Sequence, residues 1–220
     1  MMGAERGGIE ATTTEAGWIE IPEALEVDER QQWLEQSVGE LRDAWGDAWD
    51  DRADLMVPTM LLESLEQRPD AHLVFEAWPF QVPARGRIRI SMTESAALPD
   101  FAALGFSLIP YDGAAAGPGI MVVRQRDEHA DDAEGVRVVD WGVVFDDGTR
   151  SLFVQVDTVP LFFFTRILAG LHGLVMSIRV TLPGGAPFVA QPSSSAMVDD
   201  ESEWHALRLQ AEGLLGQEES

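Results

Sequence analysis

Apolar residues along this chain first recur at helical steps, then alternate, then return to a helical run. Residues 18–22 read Trp-Ile-Glu-Ile-Pro, a short alternating strand closed by proline. Asp28 reads as a helix cap ahead of Arg30. Beyond it Leu34, Val38, Leu41, Trp45 and Ala48 recur every three or four residues. That spacing predicts an amphipathic helix whose apolar stripe is flanked by Trp33 and Trp49. Pro58 suits the first turn of a second helix with Leu61, Leu62 and Leu65 inward, ended by Arg68-Pro69-Asp70.

The period then drops to two. Residues 72–79 predict a strand rich in Val, Phe and Trp. Residues 85–93 set Ile88, Ile90 and Met92 against Arg87, Arg89 and Ser91. The short loop 82–84 between these runs predicts an antiparallel pair. Residues 95–110 hold a helical turn and a short strand, 113–119 a flexible turn, and 120–125 another strand. The clearest hairpin joins 136–145 to 151–157. Its turn is Asp146-Asp147-Gly148-Thr149, with Asp-Gly supplying the positive φ. Pro160 opens an apolar helix through about Leu171. Residues 175–182 read either as a last strand or as the end of that helix. Far downstream, Trp204, Leu207, Ala211 and Leu214 predict a short helix over 202–215.

This order predicts an α+β protein: an antiparallel β-sheet with helices packed against it, an acidic N-terminal helical pair, and an appended C-terminal helix. The boundaries are a disordered lead over 1–16, one α+β domain over 17–183, a flexible linker over 184–200, and an amphipathic helix over 201–220. There is no βαβ alternation and no repeat of fixed period.

The opening Trp18-Ile19-Glu20-Ile21-Pro22, the meander, and the closing Val175-Met176-Ser177-Ile178-Arg179-Val180 together resemble PsbP-like α/β sandwich domains. The resemblance spans residues 18–182 and is one of architecture. It implies a non-catalytic binding or assembly domain and brings no site residues. The acidic helical pair over 28–67 and the C-terminal helix depart from the plain form.

Charge sharpens this picture. The 220 residues carry 38 acids against 15 bases, a net charge of -23, and every base is Arg. With no Lys there is no Schiff-base, P-loop or kinase-type lysine chemistry. With no Cys there is no thiol nucleophile, disulfide or thiolate metal site. The acid is concentrated: -13 over residues 1–66, -7 over 127–158 and -6 over 199–220, while the remaining segments are slightly positive. Such a surface disfavours nucleic-acid backbones and anionic membranes. It favours basic partners. The apolar stretch 159–178 carries Arg166 near its middle, which costs about 2.5–3.5 kcal/mol on insertion, so it reads as a buried helix running into a strand. Residues 1–16 lack the apolar run of a secretory signal. The expected compartment is a bacterial cytoplasm.

Four constellations remain. Asp43, Asp47, Asp50, Asp51 and Asp54 fall at helical spacing and read as a solvated helix face, a docking face for a basic partner, or a divalent-cation site, although no Asp-x-Asp-x-Asp-Gly loop is present. Arg85, Arg87 and Arg89 are the one basic cluster. They read as a grip for a carboxylate or phosphate, or as partners of the chain's own acids. The His residues 72, 129, 172 and 205 share no ligand spacing. Asp140, Asp146 and Asp147 sit at or near an exposed hairpin tip, where no pKa tuning is expected. No catalytic, cofactor or metal residue is assigned. The expectation is a non-enzymatic acidic protein-interaction domain, an adaptor, accessory or chaperone-like protein, holding its partner through the acidic face with Trp204 and Leu207. The C-terminal helix would dock on its own domain or in a partner's groove. The alternatives are an anionic-ligand domain built on the arginine strand, and a hydrolase or metal enzyme.

Overall fold

Alternation over residues 86–91 and 152–157 sets two distinct faces of a sheet, and the two are covered differently. The computed structural model describes residues 7–112, 114–128 and 135–191. Two antiparallel meanders build the main sheet. The first comprises β2 (Trp18–Glu20), β3 (Leu73–Ala77) and β4 (Gly86–Glu94). The second comprises β5 (Ser107–Tyr111), β6 (Gly119–Glu128), β7 (Val136–Asp146) and β8 (Arg150–Pro160). They join edge to edge through β4 and β8, giving the order β2-β3-β4-β8-β7-β6-β5. β1 (Gly8–Glu10) pairs separately with β9 (Arg179–Thr181). The fold is α+β.

On one face the register aligns Phe75, Ile88, Val156 and Trp141 across four strands, with Ile90, Val154 and Val143 one step along. Helix α3 (Leu161–Ser177) buries Phe163, Phe164, Ile167, Leu171 and Leu174 against this surface. Removing any one of these large side chains to Ala should cost about 2–5 kcal/mol. On the other face α1 (Val27–Trp45) and α2 (Asp51–Glu66) cover only the β2–β3 end. There Leu41, Trp45, Val57 and Leu61 pack on Ile19, Ile21, Val74 and Trp78.

Local chemistry moves several boundaries from their expected places. Asp28 is not the cap of α1. The cap is Glu26, which forms a reciprocal capping box with Glu29. Gly46, at φ 53°, stops α1, and a 3-10 turn (Gly46–Ala48) follows, so Ala48 leaves the stripe and is exposed. Asp50 starts α2 by accepting a 2.8 Å hydrogen bond from the Ala53 amide. Pro58 therefore lies inside α2 rather than in its first turn. The buried side of α2 is Ala53, Val57, Leu61 and Ser64, with Leu62 and Leu65 half-buried. Helix α3 continues past Leu171 to Ser177 before the chain extends into β9, so residues 175–182 are helix end and strand in succession.

The expected 17–183 domain has company at both ends. Residues 8–10 of the expected lead form β1. Within the expected linker, Phe188 and Ala190 are buried, and their amides donate to Val180 (2.9 Å) and Ala116 (2.7 Å). The rest of that linker and the expected helix over 201–220 lie outside the described residues.

Candidate functional site

Among the described residues, no helix covers the second face of the sheet beyond the helical pair. Its strands are nonetheless apolar on this side: Leu108 and Pro110 of β5, Ile120 and Val122 of β6, and Val144 of β7. The loop over residues 98–106 forms a wall along this floor. Phe101 stacks between Phe106 and Phe153, with ring centroids 5.6 Å away in each case. Gly142 makes room for that stack, since a Cβ there would lie 2.6 Å from the Phe153 ring and 2.9 Å from the Val154 carbonyl oxygen. Arg124 clamps the loop from the sheet. Its guanidinium lies 4.6 Å from the Phe106 ring centroid and donates to the Leu104 carbonyl at 2.9 Å.

The result is a groove of about 590 Å³ with an apolar floor. Among the described residues, the charged groups lining it are three carboxylates: Asp100, Asp112 and Asp146. Two are positioned by local hydrogen bonds. Asp100 accepts from the Ala103 amide at 3.0 Å, and Asp146 from the Ser95 hydroxyl at 2.8 Å and the Gly148 amide at 2.6 Å. Gln191 stands at the groove lip, its amide donating to the Asp146 carbonyl at 2.8 Å.

A second depression of about 460 Å³ lies across the loop, and it mixes aromatic side chains with Arg89, Arg124, Asp140 and Asp157. A β-bulge between Val139 and Trp141 sets Asp140 at its edge. Asp140 accepts from Thr158 at 2.5 Å, Arg124 at 2.8 and 3.0 Å, and Arg126 at 3.2 Å. Burial pushes its pKa up, but the bonds from Thr158, Arg124 and Arg126 outweigh burial and hold it below the usual 3.8. Asp140 is thus tuned, contrary to the expectation for an exposed tip, and toward a fixed charge rather than a proton carrier.

The arginine strand does come together on one side, as a clamp. Arg85 donates to the Met60 carbonyl of α2 and lies within 3.6 Å of Glu63 and 3.5 Å of Glu76. Arg87 bonds Glu76 at 3.0 Å and the Gln67 carbonyl at 3.2 Å. Arg89 pairs with Asp157 at 2.7 Å and, with the Gln155 amide oxygen turned toward it, with Gln155 at 2.6 Å. Each guanidinium faces a carboxylate of the chain itself.

The five aspartates do not share one helix face, because Gly46 breaks the helix among them. Asp43 ends on α1, Asp47 on the 3-10 turn, Asp50 at the α2 cap, and Asp51 and Asp54 in the first turn of α2. Asp54 is engaged by Trp49 Nε1 at 2.7 Å and Arg42 at 2.5 Å, and these bonds lower its pKa. Among the described residues, no group of three His, Asp or Glu side chains could hold a metal ion. His172 is exposed and meets the Tyr111 hydroxyl at 2.7 Å, and burial raises the Tyr111 pKa to about 12. His72 Nδ1 accepts from the Met92 amide. His129, His205, Trp204 and Leu207 lie outside the described residues.

No protein-family model matches the chain, and no curated protein matches it.

The groove is the feature that sequence reasoning missed. A signal existed in the runs 120–123 and 143–145, which are apolar at every position instead of alternating. Such strands bury both faces. Among the described residues, no helix is long and apolar enough to cross a membrane.

Proposed function

We propose that this chain is an acidic protein-interaction domain that holds an apolar segment of a partner protein, flanked by Lys or Arg, in the groove over β5, β6 and β7. The observation that carries this reading is the lining: an apolar floor on a rigid sheet, with Asp100, Asp112 and Asp146 as its charges. Apolar contact supplies affinity in such a groove, and the carboxylates select the sign of the partner's flanking charge. The net charge of -23 acts in the same direction at long range, speeding encounter with basic partners at low salt. A non-catalytic binding domain is also what the PsbP-like resemblance implies. The arginine strand supports no competing anion site, since its guanidinium groups are committed to Glu63, Glu76 and Asp157.

A displayed peptide library tests this. Selected peptides should combine aliphatic or aromatic residues with Lys or Arg. Ile120→Asp places a charge on the floor and should weaken the best peptide more than about tenfold. Asp100→Asn with Asp112→Asn should weaken it by about three- to tenfold, an effect that disappears in high salt. Selection of acidic peptides, or indifference to Ile120→Asp, would refute the reading.

A further inference from the structure

The chain itself arrives at this groove. After β9 it runs back along the domain, burying Phe188 and Ala190, and Gln191 reaches the groove lip with its amide tied to Asp146. Residues 192–220 follow from that point. They contain Trp204, Leu207, Ala211 and Leu214 at three- and four-residue spacing, with Met197, Val198, Leu209 and Leu215 as further apolar positions in an acidic sequence.

Resting on the reading of the groove as an interaction site, we propose that the segment 192–220 of this same chain is its resident occupant, and that a partner must displace it. Reach allows this. Trp204 lies 13 residues beyond Gln191. That length spans at most about 45 Å when extended and roughly 20 Å on average as a flexible linker. Tethering at the lip gives the apolar side an effective concentration on the order of millimolar, so modest affinity suffices. Chemistry sets the strength. The floor of Leu108, Ile120, Val122 and Val144 matches the Trp and Leu side chains. The three groove carboxylates, however, face a segment whose residues 199–220 carry -6. Like charges weaken the docking without abolishing the apolar contact. The segment is therefore a poor competitor for a basic partner and an adequate cover in its absence. An uncovered apolar groove would be a liability for self-association.

The absence of Cys makes the test clean. Ala211→Cys in the full chain accepts a single nitroxide, and amide resonances report which residues lie near it. The expected result is selective loss of the Ile120 and Val122 signals, with recovery when Leu207→Asp and Leu214→Asp are added. Raising salt from about 0.01 to 1 M, which shortens the screening length from roughly 30 to 3 Å, should deepen the loss. A loss that fades with salt would overturn the proposal. So would broadening on the α1–α2 surface, or none. Broadening of isotope-labelled chain by nitroxide on a separate unlabelled chain would assign the groove to a second copy and overturn it too. The two readings fail separately. If the library's best basic peptide binds wild type and the Leu207→Asp/Leu214→Asp chain equally well, the resident segment is refuted and the partner groove stands. If nitroxide broadening is found and no peptide binds either chain, the reverse holds.

Discussion

Glu76 is fully buried where β3, β4 and α2 meet, and its replacement offers a quantitative test of how the helical pair is held. Its Oε1 accepts from Arg87 at 3.0 and 3.3 Å and faces Arg85 at 3.5 Å, while Oε2 accepts from the Ser64 hydroxyl at 2.8 Å. Glu76→Gln keeps the volume but removes the charge facing Arg85 and Arg87, while its amide group can still donate to the Ser64 hydroxyl oxygen, which has the Met60 carbonyl for its own proton. Removing one partner of a buried ion pair costs about 3–5 kcal/mol. Here the arginine side chains are 16% and 17% exposed, so water softens the loss. About 3 kcal/mol is expected, within the roughly 5–15 kcal/mol available to a folded domain. The assay is urea unfolding followed by Trp fluorescence and far-UV circular dichroism. For a slope near 2 kcal/mol/M the midpoint should fall by about 1.5 M with the slope unchanged. A control replaces the group as a unit: Glu76→Leu with Arg85→Met and Arg87→Met should recover most of the stability, since apolar groups of similar volume avoid the desolvation cost. A loss under about 1 kcal/mol for Glu76→Gln, or a triple variant less stable than it, would refute the clamp.

Asp140→Asn should destabilise by about 1.5–3 kcal/mol near neutral pH, through loss of charged hydrogen bonds. The Asp140 pKa is depressed on folding, so its contribution is complete above the ordinary 3.8 and is lost as pH falls through the folded value. The gap between variant and wild type should therefore close in acid, and a gap that widens below that pH would contradict the assignment. Asp50→Ala should cost about 1 kcal/mol by uncapping α2, read as a lower thermal midpoint. Gly142→Ala should destabilise more than a surface substitution, by displacing Phe153 and with it Phe101 at the groove wall. A peptide affinity left intact by that substitution would separate the wall from binding.

The local elements were legible because each rests on neighbouring residues. The alternation of Ile88, Ile90 and Met92 and the Asp147-Gly148 turn specify their hairpins within a few residues. Pro58 misled because α2 tolerates it in its interior despite the backbone hydrogen bond it removes there, and the Asp50 cap decided the start instead. The five aspartates misled because spacing alone ignores Gly46. The groove was illegible as a site because its parts lie at 98–102, 108–122, 144–146 and 191, and only the register of β5, β6 and β7 brings them together. The arginine cluster was legible as a cluster, but its role depended on Glu76 opposite it in β3.

The seam between β4 and β8 carries a kinetic consequence. The hairpins β3–β4 and β5 to β8 form from strands close in sequence, whereas Ile88 must find Val156 and Glu94 must find Arg150 across β5 to β7, a separation that among the described main-sheet pairs only β2 with β3 matches. Loop-closure entropy rises with the length enclosed, so contacts of this separation form late. α3 follows β8 directly in the chain and spans both meanders, and so it too can dock fully only after the seam is made. During synthesis, β2 to β4 with their helical pair leave the ribosome long before β8 exists to complete them. In that interval the unpaired edge of β4 is the part of the nascent chain most open to wrong pairing.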